Sequence, residues 1–174
     1  MILRLVCVAL IAFMLPSTNF ACSVSRVRAP EELVSGADMI VRAIAVDYQR
    51  LPANPDVWTS GVPDSIVSFR VVEVVRGGSL SSLTLHGYLF QRDDFNEHAS
   101  PYTFVRPGGR RGSCFANFYK SGAEYLLFLK ASQVPSEFTV SWAALSPVNE
   151  QLHGDQDPSL FWVKKQVKST ENAY

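Results

Sequence analysis

The sequence predicts an all-β domain, a small five-stranded Greek-key barrel with a short helix before it and another after it. Three observations lead there. Apolar and β-branched residues alternate at period two along several short runs. Clusters of Gly, Pro and Asp separate those runs. One run switches the parity of its alternation midway, as a strand does at a β-bulge where a small barrel bends. A two-sheet sandwich is the alternative architecture, and no internal repeat or low-complexity block appears.

The chain opens with Met1-Ile2-Leu3-Arg4, an apolar stretch from Leu5 to Leu15, then Pro16 and a small, polar segment from Ser17 to Ala21. That order is the layout of a secretory signal peptide. The stretch is too short to cross a bilayer as a helix, which takes about 20 residues, and nothing downstream is long or apolar enough. Residues 1–21 are therefore expected to be cleaved. Residues 22–174 would remain as one domain of roughly 150 residues, secreted or held in the periplasm or cell envelope. Lipidation at Cys22 is the alternative, but Asn19-Phe20-Ala21-Cys22 departs at two places from the Leu, small, small, Cys pattern that it needs.

Ala29-Pro30-Glu31-Glu32-Leu33-Val34-Ser35-Gly36 reads as one or two helical turns, with Pro and acids at its start and Gly at its end. Met39 to Val46, apolar except for Arg42, reads as a strand buried on both faces. Leu51 to Pro63 carries three prolines and a glycine and reads as a loop. From Ser65 to Arg76, Val67, Phe69 and Val71 set one parity and Val72 and Val74 the other, which is the expected bulge. After the Gly77-Gly78 turn, Leu83, Leu85, Gly87 and Leu89 alternate with Thr84, His86 and Tyr88 as a third strand.

Residues 91–113 lose periodicity, and a connection of that length is usually functional or unstructured. Glu124 to Lys130 forms an apolar fourth strand, and Phe138, Val140, Trp142 and Ala144 alternate as a fifth. Asp157-Pro158-Ser159 opens a helix through Lys168, with Asp as cap and Lys164, Lys165 and Lys168 suited to its C-terminal dipole. Five strands with a bulged, coiled first pair point to a barrel of the OB type.

Charge excludes one class of partner. Arg4 is the leader's only charged side chain, so 15 of the 16 basic side chains remain against 16 acidic ones, and no basic footprint for nucleic acid exists. The outward barrel positions Ser68, Arg70, Thr84 and His86 do not form the aromatic, basic platform that oligonucleotides need.

Catalytic signals are equally thin, and the chain reads as a non-enzyme without a cofactor or metal of its own. Gly112-Ser113-Cys114-Phe115 loosely matches the loop around a papain-type nucleophile, but the histidine of such enzymes follows some 130 or more residues later and this chain ends first. His86, His98 and His153 are scattered, and no G-x-S-x-G, P-loop or H-E-x-x-H occurs. Asp93, Asp94 and Glu97 could grip a cation, and Arg106, Arg110 and Arg111 among glycines could cradle an anion; a solvated loop is the plainer reading of both.

Cys7 leaves with the leader, so Cys22 and Cys114 remain as a pair in an oxidising compartment and are expected to join. The loop closed is about 92 residues, for which chain entropy gives roughly 4 to 5 kcal/mol. The residue at the new N-terminus then presents an amine nitrogen and a carbonyl oxygen in one rigid chelate geometry. An α-amine titrates near 7.7 to 8.0 in model peptides, so a fraction is neutral at physiological pH and able to ligate a metal. Catalytic zinc sites keep one position open, and a chain end that fills it blocks the enzyme.

These residues resemble the N-terminal domain of tissue inhibitors of metalloproteinases, the netrin-like variety of OB fold. The resemblance rests on Cys22-Ser23 and on the run from Ser35 to Ala43, then on Phe69 to Gly77, and finally on Ser113-Cys114 followed by Gly122 to Phe128. It implies that Cys22, disulfide-linked to Cys114, chelates a protease's zinc and that Ser23 enters the specificity pocket, with Val24, Ser113 and Phe115 alongside. The implied partner is a protein, a zinc metalloprotease, met by a monomer. Cys22-Ser23-Val24 stands where the family has Cys-x-Cys, and the family's later cysteines have no counterpart here. The alternative is a cell-envelope interaction module that uses the 91–113 loop as its contact surface.

Overall fold

The computed structural model describes residues 26–52, 63–110, 114–133, 137–141 and 143–172. They form a mainly β structure with two helices. The elements are α1 (Pro30–Gly36), β1 (Met39–Arg50), β2 (Ser65–Arg76), β3 (Ser82–Phe90), a 3-10 turn (Pro107–Arg110), β4 (Phe118–Lys120), β5 (Glu124–Ala131), β6 (Phe138–Val140), β7 (Asn149–Gln151) and α2 (Pro158–Glu171). Seven strands join one sheet in the order β4-β3-β2-β1-β5-β6, with β7 also on β5. All pairs are antiparallel except β3 with β4. The sheet is coiled and barrel-like, but among the described residues its end strands β4 and β6 do not pair with each other, so it is not closed.

The continuous apolar run of β1 is explained by burial on both of its faces. Met39, Val41, Ala43 and Ala45 point into the sheet's concave interior with Phe69, Leu85, Tyr119, Tyr125 and Leu127. Ile40 points the other way, into a second cluster where α1 and α2 pack through Leu33, Val34, Leu160 and Val163 against Leu126 and Phe128. Three aromatic rings centre the interior, Phe69 meeting Tyr119 and Tyr125 edge-on at 5.0 and 6.1 Å. Such edge-to-face pairs contribute about 0.5 to 1.5 kcal/mol beyond the area they bury.

The parity switch in β2 is a bulge. Ala43 faces Val71 and Arg42 faces Glu73, so Val72 is left without a partner in the register and stands 42% exposed. Two further register shifts in the same pair increase its coiling.

Four expectations need correction. Among the described residues the strands number seven rather than five, because the three-residue strands β4 and β7 carry no period-two signal. β1 runs on to Arg50 rather than stopping at Val46, its exposed polar end extending the hairpin with β2. Of the expected strand from Phe138 to Ala144, Phe138–Val140 pairs among the described residues, and Trp142 lies outside them. α2 continues past Lys168 to Glu171. Its N-cap is as expected: Asp157 accepts from the Ser159 N–H at 2.8 Å and, through its other oxygen, from the His153 N–H at 2.9 Å.

Candidate partner-binding surface

The residues after β3 carry no strand, yet side chains fasten them to the sheet. Arg106 is wholly buried, at 0% exposure. Its Nη1 donates to Asp94 Oδ2 at 2.7 Å, its Nε to the Asn149 carbonyl at 3.0 Å, and its Nη2 to the carbonyls of Ala116 and Phe118, both at 2.8 Å. The guanidinium also lies near the rings of Tyr119 and Tyr125, 5.9 and 5.3 Å from their centroids. Asp94 accepts in addition from the Gly108 N–H. A Cβ at Gly109 would meet the Val105 side chain and lie 2.9 Å from the Ala116 nitrogen, so the turn over Pro107–Arg110 needs glycine for close approach.

This arrangement overturns the solvated-loop and anion-cradle readings for Arg106. Arg110 pairs with Glu97 at 2.6 Å, and Arg111 lies outside the described residues. Asp93 holds Lys120 at 2.7 Å and accepts from Gln151, which keeps its carboxyl below the usual range. Among the described residues no group of three or more His, Cys, Asp or Glu is placed to hold a metal.

Beside Arg106 lies Glu150 on β7, 1% exposed. Burial pushes its carboxyl up to about 8, against the opposing pull of Arg106 and of Asn96, whose Nδ2 reaches both oxygens at 3.2 Å. The same Asn96 nitrogen donates to the Phe104 carbonyl at 2.7 Å. Both ends of the connection are thereby tied to β7.

The expected contact residues gather at the end of this network. Cys114 is buried; its expected disulfide partner Cys22 lies outside the described residues, as do Ser23, Val24 and Ser113. Phe115 is half-buried against the helix-side cluster. Cys114 has φ +56° and Leu145 φ +63°, left-handed values that non-glycine residues seldom adopt. The two meet: the Leu145 N–H donates to the Cys114 carbonyl at 2.9 Å, and the Leu145 carbonyl accepts from Val105 at 2.8 Å. Strained backbone of this kind persists where surrounding contacts over-determine it, and it concentrates at functional sites.

The N-terminal segment arrives at the same place. The Arg28 N–H donates to Ser146 Oγ at 3.1 Å, one residue from Leu145. Arg26 is fixed by Glu32 at 2.7 Å, and Glu32 also reaches back to the Ala29 N–H at the start of α1. Cys22 is six residues before Arg28, a reach of at most about 20 Å. Sequence reasoning reads Asp94 and Arg106 only as loop charges, and Asn96, Glu150 and Leu145, which also shape this surface, escape it. The only signal is Arg106 standing apart from Arg110-Arg111, between Val105 and Pro107.

Compared with known proteins, the chain matches no family model, and no curated protein matches it in sequence.

Proposed function

We propose that the chain is a secreted, monomeric binding domain of OB-type Greek-key architecture that inhibits a zinc metalloprotease. In this reading Cys22, joined to Cys114, is the mature N-terminal residue. Its amine and carbonyl chelate the protease's zinc, and Ser23, Val24, Ser113 and Phe115 line the cleft contact. The observation that carries the reading is the convergence of Arg28, Cys114 and Val105 on Leu145-Ser146 through three backbone-anchored hydrogen bonds. A chain end fastened close to a rigid edge loses little entropy on binding, and preorganisation of that kind favours tight inhibition. Arg106 supports it further, because its Nη2 fixes the carbonyls of Ala116 and Phe118 directly after the contact residues.

The test is inhibition of a zinc metalloprotease of the H-E-x-x-H class by the processed protein and by a version carrying one extra N-terminal alanine. The added peptide bond removes the amine lone pair, so inhibition is expected to fall by about 100-fold or more. It is also expected to weaken about tenfold per pH unit below the amine's titration, because the proton competes with zinc. Equal inhibition by the extended version overturns the reading.

A second reading is an envelope interaction module whose contact surface is the 91–113 connection. It is favoured by the exposed tip at Glu97 and His98 on a base that the buried ion pair holds rigid. Since deleting the connection would remove Arg106 from the core, the clean test is substitution of Glu97 and His98 with partner capture as readout.

A further inference from the structure

Where α1, α2 and the connection after β3 meet, a pocket opens with an empty volume of about 250 Å³, its mouth included. Pro30, Pro101, Pro147, Val163 and half-buried Trp162 make its walls apolar. Its inner part is narrow, with room for a group the size of one water molecule. Three of the lining residues are polar, Glu150, Tyr102 and Ser159, and all three are buried.

Glu150 is the unusual member. Its carboxyl receives only Asn96 Nδ2, shared between both oxygens at 3.2 Å, and among the described residues no cation pairs with it. The charges that face it are Arg106, Asp94 and Asp157. Asp94 answers Arg106 directly at 2.7 Å, so Asp157 tips the surroundings of Glu150 toward negative. A buried carboxylate without a paired cation is costly, and a ligand that brings a cation offsets that cost. The Tyr102 hydroxyl lies in the field of Glu150 and Asp157 and makes no hydrogen bond to another described residue.

Shape and charge together select the ligand. Sites of this kind combine apolar walls with a few converging polar groups. A primary ammonium is compact, carries three N–H donors and rides on a slim methylene stem. A guanidinium is a broad planar fork, and a quaternary ammonium is wider still and has no N–H to donate. An anion would meet Glu150 and Asp157, and a neutral alcohol would leave the carboxylate without a counter-charge.

We propose that this pocket binds a primary ammonium group on an unbranched aliphatic stem, as free alkylamines and lysine side chains carry it. Glu150 is its counter-ion, Tyr102 and Ser159 are further acceptors, and Trp162 with the three prolines encloses the stem. The site needs neither a free amine at Cys22 nor a protease, so it does not depend on the inhibitor reading.

The test is titration of the processed full-length protein with n-butylamine, Nα-acetyl-lysine amide, n-butanol and butyltrimethylammonium, read by calorimetry and by NMR. At about pH 8.5, saturable binding of n-butylamine is expected, with shifts centred on Trp162 and Tyr102, and none of n-butanol or butyltrimethylammonium. Binding draws the proton off Glu150 while the amine stays protonated, so affinity is expected to fall about tenfold per pH unit below about 8. That dependence is read on the natural chain and needs no variant. Glu150→Gln is expected to abolish it and to weaken binding about tenfold or more. Nα-acetyl-lysine amide separates the two sources: binding equal to that of n-butylamine assigns the site to a lysine side chain, and exclusion assigns it to free amines. Absence of saturable n-butylamine binding overturns the proposal. So does equal binding of n-butanol, an affinity that does not change between about pH 6 and 8, or one that Glu150→Gln leaves unaltered.

Discussion

Burial raises the Glu150 carboxyl from 4.5 to about 8, and this one side chain ties folding to pH across the neutral range. The groups facing it are Arg106 and Asn96, which favour its charged form, and Asp94 and Asp157, which oppose it. The folded state therefore holds a proton between these two pH values that the unfolded chain has released. Stability contributed by the neutral acid is full below about 4.5 and is lost as pH rises toward 8, a change on the order of a few kcal/mol. Glu150→Gln, which cannot ionise, is expected to flatten the fall in melting temperature between pH 5 and about 8; a fall equal to that of the natural chain would refute the assignment. Arg106→Leu strands buried Asp94 and three carbonyl acceptors, so chemical denaturation is expected to report a loss of about 3 to 5 kcal/mol. Adding Asp94→Leu to the same chain should recover part of that loss, since an uncompensated charge is then no longer buried. None of this is legible in the sequence. Asp94 lies twelve positions from Arg106 in an aperiodic stretch, and burial of an arginine depends on partners that only the fold assembles.

At the scale of elements, legibility follows period and length. β1, β2, β3 and β5 have eight or more residues and read clearly from their apolar patterns. The bulge at Val72 reads from its parity switch, and α2 from its Asp157-Pro158 start. β7 does not read at all, because Asn149-Glu150-Gln151 is polar throughout and buried only by virtue of the Arg106 network. β4 is three residues long and pairs in parallel with β3 after a connection without period. The cap on α2 offers a measurable consequence. Asp157 satisfies two backbone N–H groups, so Asp157→Ala is expected to cost about 1 to 2 kcal/mol in thermal or chemical unfolding. A change below a few tenths would mean that the cap is replaced by solvent.

For the whole molecule, the sheet and its two helices form a scaffold with a reinforced edge. The buried pair of Arg106 and Asp94 connects the long connection, β7 and the segment after Cys114. Leu145 connects that segment to the stretch that receives Arg28. Of the expected contact set, Cys114 and Phe115 fall among the described residues, and Cys22, Ser23, Val24 and Ser113 do not. The inhibitor reading therefore depends on where the processed chain begins and on whether Cys114 is joined to Cys22. Peptide mapping by mass spectrometry, without reduction, of the protein expressed with residues 1–21 reads both together. The account predicts a chain that starts at Cys22 with an unmodified amine and a cross-linked peptide pair containing Cys22 and Cys114. A different first residue, an acylated or otherwise capped amine, or Cys22 recovered as a free thiol would contradict it.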